Sequence, residues 1–285
     1  MSASSDPQAK IDRADKHLRA LARMVVAFRK QAYTVSAQPA MWVEAPTIQN
    51  ALHVIILAEA TEDPPSLKWG PIIGDIVHGL RSALDQIAWG LSVEYQATLG
   101  KQPPPDPIPP GDRWKDVAFP ICRDQTNWPS QRTQKLWAID PALMAILERF
   151  QPFYGGQNPA DREPLAVLDE LWNIDKHRHL HLVNATIELR DVVSVEPIPG
   201  LPRIDFEVVS KRAPGPLVGP TEIGRARPID RAGVQTPRTN LPQMFMYPDL
   251  AVDVAFDEGA PAYGGSVLDT LRRIRKTVQA IVVAV

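Results

Sequence analysis

PIIGDIVHGLRSALDQIAWGLSVEYQA, residues 71–97, is the stretch that decides the fold. Ile73, Ile76, Val77, Leu80, Leu84, Ile87 and Leu91 recur at spacings of three and four, which places them on one face of an α-helix and predicts that this face is buried. An apolar stripe this long needs other helices to cover it. The chain supplies them. Residues 7–32 carry Ile11, Ala14, Leu18, Leu21, Val25 and Phe28 on one stripe, with Asp6 as N-cap and Pro7 as first helical residue. Residues 266–285 repeat Val267, Leu271, Ile274, Val278, Ile281 and Val285, so this last helix must dock, and it is expected against the first. Two more helices are predicted at about 140–150, entered at Asp140 and Pro141, and at about 162–181.

Other stretches have the period of a strand. LHVIILAEA, 52–60, is a short branched apolar run closed by the turn signal EDPP, and 34–47 is its hairpin partner. After residue 182 the period changes to two: Val183, Ala185, Ile187 and Leu189 alternate with Asn184, Thr186 and Glu188, and DVVSVE, RIDFEVVS and LAVDVAFDE read alike. The expected fold class is α+β, a helical bundle of about five helices with a small antiparallel β-sheet built mostly from 182–257, plus 52–60.

Length and composition agree with this. The 285 residues are 44% hydrophobic and 22% charged, enough for a core, and disorder is excluded for most of the chain. They are read as one α+β domain, 1–285, with large loops. The 29 prolines supply the loops. Six fall in QPPPDPIPPG, 102–111, where helix and central strand are excluded. Six more fall in 211–243, read as a second Pro-rich loop that holds six basic residues against Glu222 and Asp230.

A net charge of −2 excludes a global field for nucleic acid or an anionic membrane, so any such site is local. Arg225 and Arg227 in the basic loop, with Lys176 and Arg178, are the candidates to track a phosphate backbone. Cys122 is alone, which excludes an internal disulfide and a multi-thiolate zinc site. The polar start MSASSDPQAKIDR lacks a secretory pattern, and TVQAIVVAV is too short to span a bilayer, so a cytoplasmic protein with no membrane segment is expected. There is no Gly-rich phosphate loop of either standard form, and no cofactor is expected.

Two polar constellations interrupt the apolar pattern. Projected at about 100° per residue, His78, Arg81 and Asp85 fall within about 60° of one another beside the buried stripe. There they can act as base, cation and carboxylate with perturbed pKa values, or as an ordinary i,i+4 ion pair. In LAVLDELWNIDKHRHLHL, 165–182, the same projection sets Asp175 and His179 on the apolar face of Leu165, Leu168, Leu171 and Trp172. Two inward polar groups must be paired, with each other or with the His78, Arg81, Asp85 stripe, and serve either catalysis or the crossing of two helices. His177, His179 and His181 alternate, but with Lys176 and Arg178 among them and no second ligand cluster, no metal is expected. Trp89 stands on the polar side of its helix and predicts packing against another segment or subunit.

GDIVHGLRSALDQIAW (74–89), FPI (119–121) and NIDKHR (173–178) together resemble a group of uncharacterised bacterial proteins with a segment like H-N-L-R-S-A-L-D-H-L-A followed, after a gap, by I-D-K-H-R. The resemblance covers roughly residues 70–182. Its arginine and downstream histidine are similar in turn to the HEPN superfamily, helical bundles whose RNases use an Arg and, four to six residues later, a His, usually in a homodimer. Carried over, Arg81 matches the arginine, and Gln86 stands where the histidine belongs. Gln86 cannot take a proton, and it lies about 140° from Arg81 on a straight helix. The resemblance therefore implies a non-catalytic HEPN-like module that binds RNA or a protein, or else a metal-independent RNase with Arg81 as phosphate cation and His78 or His179 as base. A homodimer through the 71–97 helix goes with either. A metal-dependent hydrolase on His177 and His181 is the third alternative.

Overall fold

A computed structural model describes residues 6–29, 33–42, 51–62, 66–155, 159, 162–177, 182–193, 205–212, 219–229, 247–256, 261–262 and 265–285. It is an α+β protein, with helices α1 (Pro7–Arg29), α2 (Ser66–Thr98), α3 (Trp128–Lys135), α4 (Met144–Arg149), α5 (Pro164–His177) and α6 (Val267–Ala284) and strands β1 (Tyr33–Trp42), β2 (Ala51–Ala60), β3 (Leu182–Val193), β4 (Asp205–Lys211), β5 (Thr221–Ile229) and β6 (Tyr247–Phe256). The chain divides into two compact units, Met1–Arg23 with Pro65–His181 and Phe256–Val285, and Met24–Pro64 with Leu182–Ala255.

The first unit is helical, and α2 is its axis. Ile73, Ile76, Val77, Leu80 and Leu84 are all fully buried, on the stripe the sequence predicts. The helix begins at Ser66, one turn before the proline that looked like its first residue. Pro71 forfeits one intrahelical bond to the Leu67 carbonyl, but Leu67 is 82% exposed, so water can take that oxygen. α5 and α6 pack on α2 and on each other, contributing Leu165, Leu168 and Leu171, and Leu271, Ile274, Val278 and Ile281. The first and last helices are pinned together. Arg275 donates to both carboxylate oxygens of Asp15, at 2.9 and 2.8 Å, and Gln8 and Gln279 exchange hydrogen bonds beside them.

The Pro-rich 102–111 stretch is irregular, and the chain then returns to α2 through a 3-10 turn, Arg113–Asp116, capped by the Asp112 side chain on the Trp114 N–H. Trp114 packs edge-on against Trp89 at 5.1 Å and against Trp137 at 5.7 Å. Trp89 is thus covered by another segment of its own chain.

The second unit is built on an antiparallel sheet in the order β1-β2-β5-β4, with β3 and β6 paired separately. Period-two positions Val54, Ile56 and Ala58 of β2 are buried with Ile223 and Ala226 of β5, Phe206 of β4 and Leu189 of β3. The hairpin expected from 34–47 and 52–60 is β1–β2, half of the larger sheet, and the other four strands lie within 182–257. One expectation is corrected. The supposed 211–243 loop contains β5, a central strand, whose Gly224 and Pro228 read as loop signals. A Cβ at Gly224 would lie 2.5 Å from Leu189 Cδ2 and 2.7 Å from the Ser210 carbonyl, so only glycine fits where β3 and β4 press on the strand.

Candidate functional site

Arg81 and Asp85 stand one turn apart on α2, as their spacing predicts, but the two side chains have different surroundings. Arg81 is 6% exposed, so nearly its whole length is held inside the first unit. Its Nη2 lies 3.2 Å from Asp85 Oδ1, and its guanidinium sits 5.3 Å from the centre of the Trp172 ring on α5. Lys176, one turn further along α5, puts its ammonium 2.9 Å from the centre of the same ring. Trp172 therefore serves two cations as a π platform. Asp85 Oδ1 also accepts the Phe119 N–H at 3.0 Å. Three separate stretches of sequence thus meet at one place: 74–89 through Arg81 and Asp85, 119–121 through Phe119, and 173–178 through Lys176 beside Trp172.

Burial pushes the Asp85 carboxyl above its usual range. Arg81, the Phe119 N–H, Lys135 and Lys176 all pull the other way and do not outweigh it. Arg81 Nε and Nη1 are buried with no hydrogen-bond partner, and so is Gln86 Oε1. Arg81 and Gln86, five residues apart on α2, therefore both carry unsatisfied polar atoms sealed from solvent.

Asp175 corrects the expectation of an inward carboxylate. It is exposed, and Trp172, not Asp175, is the polar-tipped side chain α5 lays beside Arg81. Its carboxyl rests on the backbone of α2: a Cβ added at Gly74 would fall 2.4 Å from its Oδ1. The Asp175 carboxyl is pushed up by this partial burial and by Asp75, and pulled down by His78, which is itself exposed. His78 thus faces Asp175 electrostatically. His177 is the last described residue of α5; Arg178, His179 and His181 lie outside the described residues. Among the described residues, no three His, Cys, Asp or Glu side chains are grouped to hold a metal ion.

The described phosphate-tracking candidates Arg225 and Arg227 are occupied. Arg225 donates to both carboxylate oxygens of Glu222 at 2.6 and 3.1 Å, and Arg227 donates to Glu207 across to β4 at 2.6 Å. Residues three apart on a regular strand face opposite ways; a register shift between Ile56 and Leu57 opposite β5 lets Glu222 meet Arg225. What the spacing did not show were Phe119 as donor, Trp172 as platform and Gly74 as seat, all of them contacts between distant segments. FPI was the one available signal, and it carried no role of its own.

Comparison with models of protein families, with curated proteins and with solved structures returns no match.

Proposed function

We propose that the chain is a non-catalytic, HEPN-like interaction module in which the Arg81, Asp85 and Trp172 cluster locks α2 to α5. The supporting observation is Arg81: an arginine that stabilises a phosphorane must present N–H groups to substrate, and here Nη2 is on Asp85 while Nε and Nη1 are shut away from solvent. Gln86 supplies no base, and Asp85 already accepts from the Phe119 N–H and is ion-paired with Arg81. A protein partner fits this reading better than nucleic acid, since Arg225 and Arg227 are neutralised by Glu222 and Glu207 and Lys176 lies over Trp172. No helix among the described residues is long and apolar enough to cross a membrane. A cytoplasmic setting belongs to the same proposal, in keeping with Cys122 as a lone, buried thiol whose pKa burial raises.

The test is incubation of the purified chain with single-stranded RNA in the presence of a chelator, alongside filter binding at about 0.15 M salt. Intact RNA and no retention are expected. Cleavage that disappears in Arg81→Met would overturn the proposal in favour of a metal-independent RNase.

A further inference from the structure

Away from the Arg81 cluster, and sharing no residue with it, the helical unit has an open cavity of about 360 Å³. Arg162, just ahead of α5, and Arg273 of α6 line it, with Pro164, Val167 and Ile274 as apolar wall and Thr270 as the hydroxyl. Both arginines are exposed, and among the described residues neither side chain has an ion pair or a hydrogen bond. Two described carboxylates close by in sequence are turned to other tasks. Asp269 accepts from Arg272 at 2.9 Å, and the Glu163 carboxyl lies over Gly155, where an added Cβ would be 2.6 Å from its Cδ. Two guanidiniums at one cavity repel each other unless an anion lies between them. The first turn of α5, Pro164–Val167, adds the positive end of a helix dipole to the same wall.

We propose that this cavity is a binding site for a small oxyanion on a compact apolar body, a carboxylate or a phosphate monoester, held by Arg162 and Arg273. The guanidinium fork matches either group with paired N–H donors. Thr270 Oγ1 can donate to a remaining oxygen, while Val167, Pro164 and Ile274 cover the body. The volume is at the lower end of the range for small-molecule sites, about 300–1,000 Å³, which limits the body to roughly one ring.

The test uses the full chain with benzoate, phenyl phosphate and inorganic phosphate as probes, followed by amide chemical shifts and calorimetry. Saturable shifts at Gly265, Thr270 and Arg273 are expected with benzoate or phenyl phosphate, the tighter of the two identifying carboxylate or phosphate ester as the natural class. Arg162→Gln and Arg273→Gln should each weaken that probe about tenfold, the size of one charge-assisted hydrogen bond. Arg272→Gln, a neighbour engaged with Asp269, should leave the affinity unchanged. No saturable shift at those amides by about 10 mM probe, the weakest binding such a site could usefully have, overturns the proposal. So does equal weakening in Arg272→Gln, which would mean diffuse attraction to a basic helix. Inorganic phosphate binding as tightly as both ringed probes would remove the apolar body.

Discussion

Replacing Arg81 by methionine is expected to cost almost nothing, although the side chain is buried and ion-paired. Coulomb's law at 3.2 Å and an effective dielectric of about 20 gives the pair a gross attraction of about 5 kcal/mol. Against it stands desolvation of a guanidinium that is 6% exposed, including Nε and Nη1, which find no acceptor and cost about 1–3 kcal/mol each. The two sides nearly cancel. Methionine keeps the stem under Trp172 and removes both unmet donors, and Asp85 retains the Phe119 N–H. Arg81→Met should therefore stay within about 1 kcal/mol of the parent, while Arg81→Ala, which also empties the space beneath the ring, should lose about 3 kcal/mol. In a cycle with Asp85→Asn, the coupling should be about 1 kcal/mol, reduced by solvent at a carboxylate that is 36% exposed. Urea unfolding followed by tryptophan fluorescence measures all four proteins, and six of the seven tryptophans belong to the helical unit. A loss of about 3 kcal/mol or more in Arg81→Met, matched by Asp85→Asn and not increased in the double variant, would refute the reasoning, because the pair would then be strongly favourable despite its unmet donors.

Asp85 and Asp175 also give stability a pH dependence of defined sign. Both carboxyls have native pKa values raised above the usual 3.8, so the native state holds protons that the unfolded chain has released, and stability falls as pH climbs from there through the native values. Urea titrations across this carboxylate range should show that fall, and the double variant Asp85→Asn with Asp175→Asn should flatten it; an unchanged slope would count against both shifts. Two glycines should respond differently to alanine. At Gly74 the obstacle is the carboxyl of exposed Asp175, which can swing away, so gained helix propensity of about 1 kcal/mol should roughly balance its displacement. At Gly224 the obstacles are Leu189 and the Ser210 backbone, so Gly224→Ala should cost about 1–3 kcal/mol or more by thermal unfolding.

The helical stripe of α2 was legible because it is local: a period of 3.6 over many residues leaves one solution, and Ile73, Ile76, Leu80 and Leu84 are buried as that period requires. The i,i+4 approach of Arg81 to Asp85 was legible for the same reason. β5 was not. Its Gly224 and Pro228 are loop-forming residues by local preference, and the features that make them acceptable, Leu189 lying on one and Phe206 paired in register with the other, come from strands distant in sequence. Asp175 was misplaced because the projection set it on the apolar face of Leu165, Leu168 and Leu171, whereas in the folded chain it is an exposed residue of α5 and Trp172 is the side chain laid beside Arg81.

The same contrast, between what spacing offers and what folding consumes, bears on which arginines can act on a partner. Arg81 was singled out by its motif, and Arg225 and Arg227 by a local excess of positive charge. In the folded chain each has been given a carboxylate, Asp85, Glu222 and Glu207 respectively. A guanidinium already satisfied by a carboxylate must give up that pair before it can bind a phosphate, so its net attraction for a ligand is small. Arg162 and Arg273 were marked by neither motif nor local charge, yet no described carboxylate meets them, and they share one cavity. Free cationic charge facing a cavity, rather than membership of a recognisable pattern, is the condition for binding an anion, and in the helical unit that condition is met beside α5 and α6.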